Sequence, residues 1–270
     1  MKVTKSKYRD KLNCILINYA DRNFTQSQQT NTKTGIQVGK FKEVWSYSPK
    51  DISKSFYQAN KELLNQKRGN GYWLWKPYII LESLNKIDYN DYLFYCDSGA
   101  EFVDSIKSLL SITASKSQDI VSFELVHPEY KYTKRDVFNV LNCDSQSFSE
   151  SRQRLASFIL FKKSPKVIAF VNEWLQYSSV KSLITDSPNP SGLENFDGFV
   201  DHRHDQSIFS LLAKKYRLEA YRDPSQYGST LIDEYSNSPY NQIIHSTRLK
   251  NKKLGLAKTF RSMLKESKWK

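Results

Sequence analysis

The run Tyr92-Leu93-Phe94-Tyr95-Cys96-Asp97-Ser98-Gly99-Ala100 is apolar until it ends in an acid and then in Ser-Gly. A buried strand of this kind carries its terminal carboxylate to the edge of a sheet, where Asp97 can hold a hard cation against phosphates. The same pattern also makes an ordinary turn. Upstream, Gly69-Asn70-Gly71-Tyr72-Trp73-Leu74-Trp75-Lys76-Pro77 sets two glycines, three aromatic rings and a lysine ahead of a helix start. Backbone freedom, stacking surface and positive charge suit a nucleotide diphosphate; the alternative is an aromatic loop that anchors the core. A third cluster, Asp201-His202-Arg203-His204-Asp205-Gln206-Ser207, enters a helix and holds half of the four histidines. Asp205 either caps that helix or faces a cleft as a base or an acceptor of sugar hydroxyls. His245 follows the strand-like run Asn241 to Ile244, a position open to a site or to a structural role.

Several chemistries find no motif. Neither a Gly-x-x-x-x-Gly-Lys-Ser/Thr loop nor a Gly-x-Gly-x-x-Gly turn after a strand is present. A Gly-x-Ser-x-Gly elbow is also missing, although a triad assembled from distant residues leaves no such trace. The three cysteines, Cys14, Cys96 and Cys143, lie far apart without a Cys-x-x-Cys pair, which argues against a disulfide framework or a zinc knuckle.

The elements that must position these residues alternate. Cys14 to Asn18, Val44 to Tyr47, Tyr92 to Cys96, Ile120 to Leu125 and Phe158 to Phe161 read as strands. Helical patterns cover Ile52 to Gln66, Pro77 to Ile87, Val103 to Ser115, Pro165 to Tyr177 and Gln206 to Lys215. Strands alternating with helices of this length predict an α/β sandwich around a mostly parallel sheet, with ligands at the carboxyl ends of the strands. Residues 126–152 show no clean period, and residues 185–205 form a long loop with two prolines and two glycines, the kind that is functional or disordered.

The chain has 270 residues, 39% of them hydrophobic, enough for one large core. Its apolar runs are far shorter than the ~20 residues of a membrane helix, and the charged start, residues 1–11, lacks the pattern of a secretory signal. A cytoplasmic location is the expectation. The net charge of +13 sits at the two ends: five basic groups and one acid in residues 1–11, nine and one in residues 244–270. The nearly neutral body speaks against nucleic-acid binding, which puts a basic stripe on the folded domain. The division expected is a domain over 1–248 followed by a basic amphipathic helix over 249–270, in which Leu256, Phe260, Met263 and Leu264 share one face. Such a helix lies on an anionic membrane surface, or packs its apolar face on the domain.

The segments GYWLWKPYIILESL, DYLFYCDSGAEF, TDSPNP and DHRHDQSIFSLLAKKY, in that order, resemble a family of bacterial and viral glycosyltransferases with the GT-A fold, the nucleotide-diphospho-sugar transferases. The resemblance implies a Rossmann-like α/β/α sandwich and the transfer of a sugar from a nucleotide-diphosphate sugar to a saccharide or lipid-linked glycan acceptor. Capsule, lipopolysaccharide or other surface-glycan assembly is the usual setting, an EC 2.4 activity performed in the cytoplasm or at the inner face of the cytoplasmic membrane. It makes Asp97 the first acid of a DXD-like motif that holds a divalent metal, usually manganese, with magnesium the other choice. Gly99 stands where that motif has its second acid, and His245 would complete the shell. Asn18 and Tyr19 would lie by the base and ribose, with Lys76, Ser98, Gly99 and Gln206 on the donor. Trp73, Trp75, His202 and His204 would line the acceptor or donor-sugar part of the cleft, and Asp205 would be the catalytic carboxylate. A nucleotide-sugar-binding module without transfer is the alternative that Gly99 keeps open.

Overall fold

The structure is a computed structural model describing residues 1–115 and 118–247. The first half of the chain runs β1 Lys2–Lys5, β2 Leu12–Tyr19, α1 Thr25–Gln37, β3 Phe41–Tyr47, α2 Lys54–Ala59, α3 Lys61–Leu64, the single turn α4 Gly69–Tyr72, α5 Trp75–Leu84, β4 Tyr92–Cys96 and β5 Ala100–Phe102. The second half runs α6 Lys107–Ser115, β6 Ile120–Pro128, α7 Arg135–Val140, α8 Gln146–Ser149, β7 Arg152–Lys162, α9 Pro165–Ser178, α10 Lys181–Ile184, α11 Asp205–Lys215, β8 Ala220–Arg222 and β9 Ile244–Ser246.

Seven strands form one sheet in the order β1-β3-β2-β4-β7-β6-β8, and β5 pairs with β9 in a second, two-stranded sheet. The pairings β3-β2, β2-β4 and β6-β8 are parallel, whereas β1-β3, β4-β7 and β6-β7 are antiparallel. The sheet is therefore mixed, with its parallel character concentrated around β2. The chain leaves β2 for β3 on one side and returns to β4 on the other, so β2 and β4 flank a topological switch point, where open α/β sheets bind ligands.

Alternation along the strands explains the layers. Ile15, Ile17, Tyr19, Leu93 and Tyr95 pack with α5, α9 and α11 on one face. Cys14, Leu16, Phe94 and Cys96 pack with Ile36 of α1, with Ile106 just before α6 and with Leu109 of α6 on the other. Both faces are covered, which is why β2 and β4 read as continuous apolar runs. Each fully buried aliphatic or aromatic side chain here stabilises the fold by roughly 1.5–3 kcal/mol.

Three features depart from the sequence pattern. The helix expected over Ile52 to Gln66 breaks at Asn60 into α2 and α3. Helix α1 shows no apolar periodicity because it buries only Asn31, Gly35 and Ile36. It sits so close to the sheet that a Cβ on Gly35 would lie 2.5 Å from Leu16 Cδ2. The long loop after α10 is held by specific bonds: the buried Lys134 ammonium donates to the carbonyls of Ser182 (2.6 Å), Thr185 (3.3 Å) and Ser187 (2.6 Å). The basic helix expected over 249–270, and the domain boundary before it, lie outside the described residues. No helix among the described residues is long and apolar enough to cross a membrane.

Candidate functional site

A cleft of about 1000 Å³ opens at the carboxyl ends of β2 and β4. Tyr19 closes β2 and Asp97 follows β4, so both side chains arrive at its floor from adjacent strands. Trp73, Trp75, Lys76, Ser98, Gly99, His202, His204, Asp205 and Gln206 line it as well.

The centre is Lys76, in the first turn of α5. Its ammonium lies 2.8 Å from Asp205 Oδ2 and 3.7 Å from Asp97 Oδ1, and it donates to the Ala156 carbonyl at 3.2 Å. Lys76 and Asp205 are both 4% exposed in their side chains, Asp97 35%. Burial opposes the charge on Lys76, but Asp205 and Asp97 outweigh it and hold the ammonium above its ordinary range. Burial pushes the Asp205 carboxyl up to about 6, against the pull of Lys76. Asp97 also accepts the Tyr95 hydroxyl at 2.5 Å, and burial with the Asp97 charge keeps that phenol protonated well above its usual range. Two carboxylates and one ammonium give the floor a net charge of −1 once Asp205 has ionised.

One wall is aromatic. Tyr19 stacks on Trp75 with centroids 3.8 Å apart and planes 15° from parallel. The Tyr19 hydroxyl accepts from Asn70 at 2.5 Å, and Trp75 Nε1 donates to the Gly69 carbonyl at 3.0 Å. These bonds draw the loop before α5 into a left-handed turn: φ is positive at Gly69, Asn70, Gly71, Tyr72 and Trp73 in succession. Such geometry costs about 1–3 kcal/mol at a non-glycine residue, and strained backbone of this kind collects at ligand clamps. Arg68, at the head of the loop, ties it to the long loop through Asp201 (3.0 Å) and Asp186 (3.5 Å).

His202 and His204 stand 5.2 Å apart between this wall and the end of α10. His202 Nε2 bonds the Leu183 carbonyl at 2.8 Å and its Nδ1 accepts from the Lys134 amide at 3.4 Å. His204 Nδ1 bonds the Ile184 carbonyl at 2.8 Å while its ring stacks on Trp73. Carbonyls accept, so the proton sits on Nε2 of His202 and on Nδ1 of His204. Burial holds both imidazoles neutral, helped at His202 by the neighbouring His204. His204, with φ 53°, precedes α11 without a side-chain cap bond. Asp205 is the first residue of that helix and spends its carboxylate on Lys76, not on a cap.

Ser98 and Gly99 hold neighbouring backbone at the floor, Ser98 through its hydroxyl and Gly99 through its carbonyl. Ser98 Oγ donates to the Tyr19 carbonyl at 2.6 Å, and the Gly99 carbonyl accepts from Thr247. Gln206 Oε1 accepts the Ala156 amide at 3.2 Å.

Two expected residues are placed elsewhere. Asn18 is fully buried and donates to Asn31 Oδ1 (2.7 Å) and Thr32 Oγ1 (3.2 Å), tying β2 to α1. It precedes the cleft-facing Tyr19 by one position, and alternation turns it to the opposite face. His245 pairs with Glu101 across β5 and β9, and it is its neighbour Ser246 that lines the cleft. Among the described residues no group of three or more His, Cys, Asp or Glu side chains gathers as a metal site needs. Asp97, the acid at the end of β4, has the Lys76 ammonium 3.7 Å from its Oδ1. The described side chains do not by themselves form a donor set for a resident divalent metal.

Several lining residues carry no signal in the sequence pattern. His127, at the end of β6, meets the Tyr132 ring at a tilt of 58° with centroids 5.2 Å apart, and Arg203 lies over that ring at 3.7 Å. Burial, then Arg203 and Lys131, lower the His127 pKa. Glu124, Asp223, Tyr227 and Leu231 line the cleft as well.

Fold and site together define an α/β/α sandwich protein with a polar, aromatic-walled cleft at its switch point. No protein-family model matches the chain, and no curated protein matches it. Among solved structures the chain is similar to mouse xyloside xylosyltransferase 1 in its apo form, with TM-score 0.47, 10% identity, and 87% of this chain against 97% of that one covered. It is also similar to apo WbbM, a bifunctional glycosyltransferase, with TM-score 0.45, 11% identity, and 77% of this chain against 38% of that one covered. A third is the galactosyltransferase LgtC in complex with donor and acceptor sugar analogs, with TM-score 0.42, 12% identity and 86% of each chain covered. At these values the likenesses assign neither a reaction nor a residue's role.

Proposed function

We propose that the chain is a glycosyltransferase that moves a sugar from a nucleotide-diphosphate sugar to a saccharide acceptor. The observation that carries this reading is the buried Lys76 held between Asp97 and Asp205 at the floor of the switch-point cleft. It adds to the resemblance of the GYWLWKP, CDSGAEF and HDQS segments to the GT-A glycosyltransferases.

In the transfer, the bond from the anomeric carbon to the diphosphate oxygen breaks and a bond to the acceptor oxygen forms. The acceptor proton leaves and the diphosphate departs with the electron pair. Positive charge grows at the anomeric carbon, so a preorganised carboxylate beside it lowers the barrier. Asp205, ionised above about pH 6, is that group, as base or as electrostatic stabiliser. Lys76 keeps Asp205 charged despite burial and fixes its direction. The Tyr19–Trp75 stack offers the base an aromatic surface, and Gln206 and Arg203, which line the same cleft, would meet the donor through their side-chain nitrogens.

The acceptor, in this reading, belongs to a surface glycan, free or lipid-linked, and the basic residues 249–270 would bring the enzyme to an anionic membrane surface. With such acceptors the enzyme would work in the cytoplasm or at the inner face of the cytoplasmic membrane. A second reading, a nucleotide-sugar-binding module without transfer, is favoured by Gly99 at the position of the second acid.

The test is a thermal-shift screen of nucleoside diphosphates and their sugars, each with and without manganese, since a ligand of the native state alone raises Tm. A shift without metal fits the Lys76-centred floor. A shift that requires manganese would mean a shell completed outside the described residues, and no shift with any compound would sink the reading. Transfer activity with the compound that binds, lost by about 100-fold or more in Asp205→Asn, separates the enzyme from the silent module.

A further inference from the structure

Gln153, wholly buried in β7, joins the cleft to a second polar cluster behind it. Its Oε1 accepts from Arg203 Nη1 at 3.1 Å and from Gln206 Nε2 at 2.9 Å, and both partners line the cleft. Its Nε2 donates to Glu129 Oε1 at 3.1 Å and to Thr133 Oγ1 at 3.3 Å. Glu129 is also fully buried, and its other oxygen takes Ser210 and the Lys214 ammonium.

The direction of these bonds is forced. A carboxylate paired with an ammonium only accepts, and the Thr133 hydroxyl spends its proton on Glu129 at 2.6 Å. The Gln153 amide must therefore turn its nitrogen inward and its oxygen to the cleft. That oxygen in turn requires Gln206 to offer its own nitrogen, which leaves Gln206 Oε1 to accept the Ala156 amide at 3.2 Å. The Arg203 guanidinium is held at one end by Gln153 and lies flat over Tyr132 at 3.7 Å.

We infer that Gln153, oriented by Glu129, is a positioning residue that sets the donor groups of Arg203 and Gln206 which the nucleotide sugar meets. The inference rests on the nucleotide-sugar reading for its ligand, but the hydrogen-bond relay is a property of this chain alone. A buried amide that has lost its orienting carboxylate can flip and present nitrogen to a guanidinium, donor against donor.

The experiment exchanges the two groups. Glu129→Gln frees the amide to flip, and Gln153→Glu sets two carboxylates side by side. The double variant Glu129→Gln/Gln153→Glu moves the charge one step toward the cleft and again gives every bond one donor and one acceptor, with the 129–153 and Thr133 bonds reversed and the acceptor toward Arg203 and Gln206 kept. Two readouts are taken: the side-chain 15N–1H signal of Arg203, assigned by its loss in Arg203→Lys, and the affinity for the nucleotide sugar with the largest thermal shift. Each single variant is expected to broaden the Arg203 signal and to weaken binding about tenfold or more, while the exchange recovers both to within about threefold. If either single variant fails to fold, Gln153→Met, which removes the acceptor without adding charge, replaces it.

An Arg203 signal as sharp in the single variants as in the wild type would overturn the inference, whether or not any ligand binds. So would an exchange no better than the worse single variant, the result of a merely structural role. If the wild type binds no nucleotide sugar, the proposed function fails, and the Arg203 signal still decides whether Gln153 holds that side chain.

Discussion

Lys76 Nζ stands 2.8 Å from Asp205 Oδ2 with both side chains 4% exposed, joining the first turn of α5 to the first residue of α11. Removing one member of a buried pair strands the other charge, which costs about 3–5 kcal/mol. Lys76→Met is the harsher change, because it leaves Asp97 as well as Asp205 without its cation. Urea unfolding at pH 7 is expected to show that Lys76→Met is strongly destabilising and that Asp205→Asn costs much less, since it removes a carboxylate whose ionisation burial disfavours and leaves Lys76 facing Asp97. The double variant should be less destabilised than the sum of the two. Additive losses would mean the pair contributes no coupling.

The burial of Asp205 also sets a pH dependence. Its folded pKa, about 6, lies above the ordinary 3.8, so the native state holds the proton more tightly than the unfolded chain. Ionising it as pH rises from about 4 to 6 takes stability away, and that loss persists above the window. Transfer runs the other way, since the carboxylate is the active form. A rate profile with an acidic limb near pH 6 is expected. Asp205→Asn should remove the matching slope from the stability curve; a slope unchanged in the variant would assign the titration elsewhere.

The parts of the cleft that were legible in the sequence share one property: an unusual composition over a short span. Asp97 ends an apolar strand, Lys76 closes an aromatic, glycine-rich stretch, and Asp205 sits in a histidine cluster, and all three reach one floor. Position along a strand was visible, but the face was not. Asn18 and His245 are each one residue from a cleft-lining neighbour, and alternation of the strand turns them away. Helix α1 was invisible for a different reason, since it is anchored by polar groups. Asn31 accepts from Asn18 at 2.7 Å and donates to the Ala100 carbonyl at 2.8 Å, so its buried side carries no apolar stripe. Gln153 and Glu129 are single polar residues, and only the pairing of β7 with its neighbours makes a relay of them.

Asn31 yields a prediction of its own. Asn31→Leu removes three buried contacts and leaves the Ala100 carbonyl and the Asn18 amide without that partner. The unpaired groups cost about 1–3 kcal/mol each. A fall in Tm of several degrees is expected with the cleft chemistry intact in the surviving fold, and a neutral substitution would show that α1 is held by its shape alone.

Gly71 carries the left-handed turn that brings Trp73 and Trp75 to the cleft. With φ at +100° it lies where side chains are strained, and an added Cβ would meet Leu64 Cα at 2.8 Å, a backbone atom that cannot swing aside. Gly71→Ala is therefore expected to cost more than about 1 kcal/mol. It should weaken nucleotide-sugar binding beyond that of Gly192→Ala, a glycine whose Cβ would meet nothing within 4 Å. Equal behaviour of the two variants would remove the turn from the binding machinery.

His202 provides the opposite pH signature to Asp205. Burial, with His204, Lys134 and Arg68 around it, holds its pKa well below 6.5, while the Leu183 carbonyl pulls the other way. The unfolded chain takes this proton first as pH falls below about 6.5, so stability is lost toward acid and is fully present above. Because Asp205 gains stability over part of the same range, the two slopes mask each other in the wild type. In an Asp205→Asn background the histidine slope should stand alone, and His202→Gln added to it should flatten the curve between about pH 6.5 and 5. A curve that keeps its slope after the second substitution would place the acid sensitivity at His204, whose Nδ1 proton is committed to Ile184 and whose Nε2 lies 3.8 Å from Asp186.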